Sequence, residues 1–192
     1  GGSATENGTQ IETITITENE SAPTITLSTS TSSVAENSGT IVTLTVTSSQ
    51  AADEDITVTL ASSGTATDGT DYSSVNSSSL TITTGTTTAT KTFTITDNSI
   101  YEGNETIIVS INTVSGGGAA ESETQTETIT ITENESAPTV SIDVDGATSA
   151  SVYDNGSNLT LTATSTQISD EAITVVIGTS VGGATEGTDY AV

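Results

Sequence analysis

The sequence predicts an all-β chain, and three observations support this fold class. Apolar residues alternate with Thr in short runs such as Ile56–Leu60 (ITVTL) and Glu127–Thr132 (ETITIT), which is the period of a strand with one buried face. Thr suits the outer face of such a strand because its β-branched side chain favours extended backbone and stays hydrated. No segment sustains the i, i+3, i+4 apolar stripe of a helix.

The strands can be placed in order from these runs and from the turn residues between them. Eight candidates follow one another, and the last of them closes a domain. They span residues 24–28, 33–36, 40–48, 54–61, 78–83, 89–97, 105–113 and 125–132. Glycine-containing turns such as Ser62–Gly64 and Ser115–Gly118 separate neighbouring candidates.

The alternating apolar residues of these strands predict one core between two sheets. The residues expected to face inward are Ile25, Leu27, Val34, Val42, Leu44, Val46, Ile56, Val58, Leu60, Leu80, Ile82, Phe93, Ile95, Ile107, Val109, Ile111, Ile129 and Ile131. Such a core is thin and poor in aromatic side chains, so bound metal would be a useful further source of stability.

Two motifs occur twice in the chain. The thirteen residues Glu12–Thr24 return unchanged as Glu127–Thr139, and Gly64–Tyr72 has a close counterpart in Gly182–Tyr190. The repeat length, about 115 to 118 residues, is the size of one sandwich domain rather than of a solenoid coil. The sequence therefore predicts domain-sized repeats in tandem.

The proline in each copy of the sequence SAPT marks a junction, because proline ends a strand ladder and stiffens the connection. We predict that residues 1–22 are the end of a preceding repeat. Residues 23–138 form one complete repeat, and residues 139–192 start the next. On this interpretation the chain is part of a longer array.

Composition excludes several classes of function. One basic and 25 acidic residues give a formal net charge of −24, which repels nucleic-acid backbones and anionic membranes. No apolar stretch is long enough to span a bilayer. The chain has no His or Cys, so it has no imidazole base, thiolate nucleophile or usual zinc site. Carboxylate chemistry remains, and carboxylates prefer hard cations such as Ca²⁺.

Seven acidic residues of the complete repeat lie in predicted turns or at predicted strand ends. They are Glu36, Asp71, Asp97, Glu102, Glu105, Glu133 and Glu135. If the strands run up and down, many of these ends meet at one pole, where the like charges would repel unless a cation lay among them. Ca²⁺ needs six to eight oxygen ligands, which such a group could supply. The alternative is that the acidic side chains only solvate loops.

Three motifs in this order resemble the Calx-β family: Ser33–Gly39 (SVAENSG), Gly64–Tyr72 (GTATDGTDY) and Ile95–Thr106 (ITDNSIYEGNET). The resemblance covers residues 23–138 and implies an immunoglobulin-like β-sandwich, repeated in tandem, with Ca²⁺ held by loops at one end. The metal ligands that it implies are Glu36, Asp71, Asp97, the backbone carbonyl of Ile100, Glu102, Glu105, Glu133 and Glu135. Because Asn98 and Asn134 stand where the family often has acidic residues, we expect one to three ions, some of them bound weakly.

The neighbouring copies carry matching acidic residues. Asp154 and Asp189 correspond to Glu36 and Asp71 in the next copy, and Glu18 and Glu20 correspond to Glu133 and Glu135 in the preceding one. Tyr72 follows the ligand Asp and is expected to pack in the core rather than to bind a ligand.

The function predicted from these observations is structural and adhesive. Tandem sandwich repeats, held rigid by Ca²⁺ at their junctions, would form a rod. The resemblance to the Calx-β family implies that the parent protein is a large bacterial adhesin, gliding-type adhesin or filament protein at the cell surface. The absence of Cys is compatible with an extracellular chain that takes its rigidity from metal. The expected partners are neighbouring repeats, an unidentified surface ligand and, through strand exchange, further copies in a homo-oligomeric filament.

Three other functions were weighed against this one. A carbohydrate- or ligand-binding module is the main alternative, although four Tyr and one Phe offer few stacking platforms. A two-carboxylate hydrolase would need its acids in one cleft rather than in repeated loops, so no enzymatic activity is predicted. Ice binding by Thr rows such as Thr13–Thr17 would need a short coil repeat, which the chain lacks.

Overall fold

The computed structural model describes residues 1–76, 78–146, 158–178 and 182–183, and regular structure in these residues consists of eleven β-strands and one 3-10 turn. The strands are β1 (Thr24–Thr29), β2 (Ser33–Ala35), β3 (Ile41–Ser48), β4 (Ile56–Gly64), β5 (Ser79–Ile82), β6 (Thr88–Thr94), β7 (Glu105–Ser115), β8 (Ala120–Glu121), β9 (Thr126–Thr132), β10 (Val140–Val144) and β11 (Leu161–Ser165). The 3-10 turn, Glu36–Ser38, follows β2 directly. The all-β prediction is confirmed, and these residues contain no helix long and apolar enough to cross a membrane.

The first nine strands form the two sheets of a sandwich. One sheet has the strand order β6-β3-β1-β8, and the other has the order β2-β9-β7-β4-β5. The pairs β1/β8 and β2/β9 are parallel, and the other pairs in both sheets are antiparallel. Because β2 and β9 run in parallel, they end side by side, and the residues that follow both strands come to the same end of the sandwich.

The core lies between the two sheets, and every residue predicted to face inward is buried. Three further residues join it from the connection between β4 and β5, namely Ala66, Tyr72 and Val75. Tyr72 is 1% exposed, and its ring meets that of Phe93 edge-on at a centroid distance of 5.8 Å. The connection that carries Asp71 is therefore fixed by packing, which confirms the core role expected for Tyr72.

The largest differences from the predicted strands are in β4, β6 and β8. β6 ends at Thr94 rather than at residue 97, and the short strand β8 was not predicted. β4 continues to Gly64, and its register against β7 shifts between Thr59 and Leu60. Gly64 has φ +123°, and a Cβ there would lie 2.1 Å from the carbonyl oxygen of Thr106. Only glycine lets β4 approach the start of β7 this closely.

A conservative change in β9 should show how much its buried face contributes to stability. Ile129 is fully buried, whereas Thr128 faces solvent on the same strand. We expect Ile129→Val to lower the free energy of unfolding by about 1 kcal/mol, because one buried methylene is lost from a packed core. Thr128→Val should change it by less than about 0.5 kcal/mol. Urea unfolding of both variants measures the difference, and equal effects would contradict this packing.

The antiparallel pair of β10 and β11 repeats the pairing of β1 and β3. Val140 pairs with Ser165 as Ile25 pairs with Ser48, and the register continues to Val144 with Leu161 as it does to Thr29 with Leu44. The bonds at its open end are also repeated. Ser49 N–H donates to the Thr24 carbonyl at 2.9 Å, and Thr166 N–H donates to the Thr139 carbonyl at the same distance. Two segments of different sequence thus fold alike.

The first twenty-two residues contain no strand, although Glu12–Thr17 has the same sequence as Glu127–Thr132 of β9. Ile14 and Ile16 are 88% and 92% exposed. β9 is held between β7 and β2, and residues 1–22 have no such neighbours among the described residues. Asp154 and Asp189 lie outside the described residues.

Candidate metal centre

Acidic side chains from four separate segments meet at one end of the sandwich. Glu36 begins the 3-10 turn after β2, and Asp71 lies in the connection between β4 and β5. Glu102 and Glu105 lie in the loop before β7 and at its first position, while Glu133 follows β9. Strand ends that are distant in sequence therefore deliver these carboxylates to one place.

The carboxylates form two groups of three. The Glu133 group consists of Glu36, Glu133 and Glu135, and the Asp71 group consists of Asp71, Glu102 and Glu105. Within each group, one oxygen from each residue lies within 4.8 Å of an oxygen from each of the others. Three carboxylate oxygens at this spacing can contact a single cation, and carbonyls and water can complete its six to eight ligands.

Two hydrogen bonds connect the groups. Oε2 of Glu133 accepts from the N–H of Glu102 at 2.6 Å and from the N–H of Gly103 at 2.8 Å. The loop that carries two members of the Asp71 group is thus anchored on the central member of the Glu133 group. Glu133 N–H in turn donates to Oδ1 of Asn104 at 3.0 Å. The two groups are therefore joined by backbone hydrogen bonds to Glu133.

Asp71 provides the clearest sign that a ligand belongs here. Its side chain is 5% exposed, and Oδ2 accepts from the N–H of Thr67 at 2.6 Å. Oδ1 is buried without any hydrogen-bond partner, and so is Oε2 of Glu135 in the other group. A buried carboxylate oxygen without a donor costs free energy. A cation shared with the neighbouring acids would satisfy it, so the residues present fit a metal ion.

Burial, together with mutual repulsion, raises the pKa values of several carboxyl groups. Burial, followed by the negative charge of Glu133, raises the pKa of Glu36 to about 7. Burial, followed by the charge of Asp71, raises the pKa of Glu105 to about 7. The pKa of Glu102 is raised as well, chiefly by burial. Without a cation, each group therefore takes up protons near neutral pH, which is the behaviour of a cation site.

Glu133 behaves in the opposite way. Burial alone would raise its pKa, but the hydrogen bond from the Glu135 N–H and the bond shared with the Glu135 carboxyl lower it. The donors of the anchored loop lower it further. Hydrogen bonds to a charged carboxylate favour that form. Glu133 consequently stays ionised, and its charge is available to a cation over the whole physiological range.

The structure brings together six of the residues predicted as ligands, and these are the members of the two groups. Asp97 is exposed and belongs to neither group, although its charge contributes to the raised pKa of Glu135. Ile100 lies in the same loop, and its N–H donates to Oδ1 of Asn98 at 2.6 Å. The ligand roles of Asp97 and of the Ile100 carbonyl stay predictions.

Asn98 contributes to the site in a way that the sequence did not indicate. Its amide nitrogen donates to Oε2 of Glu102 at 3.0 Å and so orients that carboxylate. Its backbone N–H also opposes the burial that raises the pKa of Glu36. Sequence reasoning treated Asn98 only as a missing acid, whereas its position two residues before Ile100 favours an Asx turn that shapes the loop.

A β-sandwich with paired acidic groups at one end belongs to the class of divalent-cation-binding modules. The Calx-beta domain profile matches residues 18–135, and the chain belongs to the Calx-beta family. This family consists of calcium-binding β-sandwich domains without enzymatic activity, and calcium is accordingly the cofactor of this chain. The residues that would hold it are the members of the Glu133 group and of the Asp71 group.

Three solved structures are similar to the chain. A crystal structure of the apo form of the Calx CBD1 domain shares 19% identity, with a TM-score of 0.48, over 59% of this chain and 99% of that one. Structures of CBD12 from CALX1.2 and of the calcium-binding domain CBD12 of CALX1.1 share 20% and 21% identity, with TM-scores of 0.46 and 0.45. Each match covers 52% of this chain and 40% of the other. A search of curated proteins gave no match.

The raised pKa values predict an unusual pH dependence for the metal-free chain. Groups with a folded-state pKa near 7 and an unfolded value near 4.5 stabilise the fold below pH 4.5, and this contribution is lost as the pH rises through 7. The metal-free chain should therefore melt at a higher temperature at pH 5 than at pH 8. Calcium needs the ionised carboxylates, so its stabilising effect should grow over the same interval.

Thermal melts of the metal-free chain at pH 5 and pH 8 measure this dependence. The double variant Glu36→Gln, Glu105→Gln should reduce the difference, because neither group can then titrate. Glu6→Gln changes an exposed residue and should leave the difference intact. This control separates the two groups from the general effect of the −24 charge. A difference that is equal in all three proteins would contradict the assignment.

Proposed function

We propose that the chain is a structural and adhesive segment of a large extracellular surface protein, built from Calx-beta repeats in tandem. Calcium bound by the Glu133 and Asp71 groups stiffens the link to the following repeat. The partners are neighbouring repeats of the same chain, with an unidentified ligand on the target surface and further copies in a homo-oligomeric filament. Neither nucleic acid nor membrane insertion is part of this function.

One observation carries the proposal. Glu133 and Glu135 belong to a metal group and are followed at once by the link Ser136–Thr139, which leads into β10. The same residues thus hold the cation and determine how the chain leaves the sandwich. Two charges on a bound Ca²⁺ would fix both carboxylates and so restrict the first residues of the link.

The repeated antiparallel strand pair, β1/β3 and β10/β11, supports the tandem arrangement. β10 and β11 have the register of β1 and β3, and their open ends carry the same hydrogen bonds. Ser48 Oγ donates to the Gln50 carbonyl at 2.7 Å, and Ser165 Oγ donates to the Gln167 carbonyl at 2.7 Å. These agreements favour a second sandwich that begins in the same way as the first.

The chemistry of the site supports an extracellular location. Weak multi-oxygen calcium sites suit the millimolar calcium outside cells, and a chain without Cys can take its rigidity from metal instead of disulfides. An antibody raised against residues 24–132 should label intact cells as strongly as permeabilised ones. Labelling that requires permeabilisation would contradict this location.

Digestion with a protease that cleaves after glutamate tests the calcium-stiffened link. Cleavage after Glu135 should slow by about tenfold or more when calcium is added, because a carboxylate and backbone held by a cation cannot enter the protease. Glu12 is exposed in a segment without strands and serves as the control within the same molecule. Equal slowing at both positions would indicate an effect on the protease, and no slowing at Glu135 would refute the proposal.

A further inference from the structure

The loop that carries the Asp71 group also contacts the segment that follows β11. Tyr101 N–H donates to the Ile168 carbonyl at 3.0 Å, and the Tyr101 carbonyl accepts from Ser169 Oγ at 3.1 Å and from Asp170 N–H at 3.3 Å. Tyr101 and Ser169 thereby form a parallel β-bridge. Because Tyr101 directly precedes Glu102, this bridge connects the next repeat with the metal loop itself.

The residues that follow β11 form a turn that is closed by a side-chain hydrogen bond. The hydroxyl bond that closes it, from Ser165 to Gln167, has the same length as the bond from Ser48 to Gln50 after β3. The latter turn also faces the preceding part of the chain, since Gln50 Nε2 donates to the Ser21 carbonyl at 2.5 Å. The turn after β3 and the turn after β11 thus both lie at a junction between repeats.

Asp170 places a negative charge next to the metal loop. Its charge is among the causes of the raised pKa values of Glu102 and Glu105, so its field reaches both carboxylates. Asp170 is itself exposed and belongs to neither group. Without a cation, its carboxylate repels the Asp71 group. A bound Ca²⁺ lowers the net charge of the three carboxylates from −3 to −1, so the repulsion of Asp170 becomes weaker.

We propose that calcium in the Asp71 group tightens the contact between Tyr101 and Ser169, and that Asp170 is the residue through which the next repeat responds to the charge of the site. The proposal rests on the proposed calcium site and adds a specific contact to it. The unpartnered Oδ1 of Asp71 marks the cation position, and the Tyr101 bridge supplies the connection. The next repeat would then be held in place by backbone bonds whose strength depends on calcium.

A pair of cysteines can report on this contact, because the chain has no Cys of its own. The full chain with Tyr101→Cys and Ser169→Cys places both thiols on bridge partners, whose spacing suits a disulfide. Under mild oxidation, we expect the disulfide to form about fivefold faster with calcium than with a chelator. This ratio corresponds to roughly 1 kcal/mol for weakening one charge repulsion near the surface.

The same pair in two further backgrounds gives the matched controls. Asp170→Asn should reduce the calcium effect to less than about twofold, mainly by making the metal-free chain react faster, because the repulsion is gone. Glu171→Gln removes the same charge from the next position of the same turn and should preserve most of the effect. If calcium changes the rate of disulfide formation equally in both variants, the carboxylate of Asp170 does not make the contact dependent on calcium.

Calorimetry distinguishes this proposal from the proposed function. A chain that binds no calcium at all overturns the calcium site. A chain that binds calcium but forms the disulfide equally fast with and without it overturns only the calcium-dependent contact. If the cysteine pair prevents folding, calcium affinity is measured in Asp170→Asn and Glu171→Gln alone. We expect a loss of about threefold or more in the first variant only, and equal affinities would refute the proposal.

Discussion

Saturating calcium is expected to raise the melting temperature of the chain by about 15 °C over the metal-free state. Two ions at about a hundred times their dissociation constants contribute roughly 5 kcal/mol together. For a chain of this size, each 1 kcal/mol raises the melting temperature by roughly 2–4 °C. The effect is large because the metal-free fold holds two groups of mutually repelling carboxylates, and the ions offset most of their negative charge.

Calorimetric scans with added calcium and with a chelator measure this shift. Sodium chloride at matched ionic strength controls for screening of the −24 charge. Magnesium is the second control, because it demands near-octahedral geometry at shorter distances and should stabilise the chain less than calcium does. Superimposable scans with and without calcium would refute the assignment of both groups as metal ligands.

Substitution of Asp71 by Asn is expected to have opposite effects on the metal-bound and metal-free states. Calcium affinity of the Asp71 group should fall by about 100-fold, because one of its three carboxylates is lost. The metal-free chain should become slightly more stable, because a buried negative charge that repels Glu105 is removed. The Asn side chain can still accept the hydrogen bond from Thr67.

A lower calcium affinity combined with a more stable metal-free chain distinguishes a metal ligand from a residue that only supports the fold. A supporting residue would lower the stability of both states, whereas a ligand lowers only that of the metal-bound state. Asp53→Asn removes an equal charge from an exposed position and should change neither quantity appreciably. Calorimetric titration and chemical unfolding of the chelated chain measure the two effects. Unchanged affinity in Asp71→Asn would contradict the role given to this residue.

The period-two pattern was sufficient to predict the core, because strands with one buried face must alternate. All the inward residues predicted from β1 to β9 are buried, from Ile25 to Ile131. Ala66 and Val75 were not predicted, since they lie in a connection without periodicity and are buried by its particular path. Tyr72 lies in the same connection, and its burial was predicted from the motif and not from the period. The two-residue strand β8 was missed for a similar reason, because so short a pairing has no pattern of its own.

Identical sequence did not ensure identical structure. Glu12–Thr17 and Glu127–Thr132 have the same residues, yet only the second is a strand, because a strand depends on its neighbours for hydrogen bonds. At the site, the motifs located the acidic residues but not their division into two groups. Asn98 acts through a hydrogen bond within one loop, and Asp170 reaches the same loop from a segment that is distant in sequence. The motifs alone indicate neither contact.

The parallel and antiparallel pairing of the end strands has a mechanical consequence. The chain enters the sandwich through β1, between β3 and β8, and leaves it through β9, between β2 and β7. A pull on both ends drags each of these strands lengthwise past two neighbours. Because ladder hydrogen bonds lie across the strand direction, the whole row resists in shear instead of opening one bond at a time. A sandwich connected in this way is suited to bear tension between two anchored surfaces.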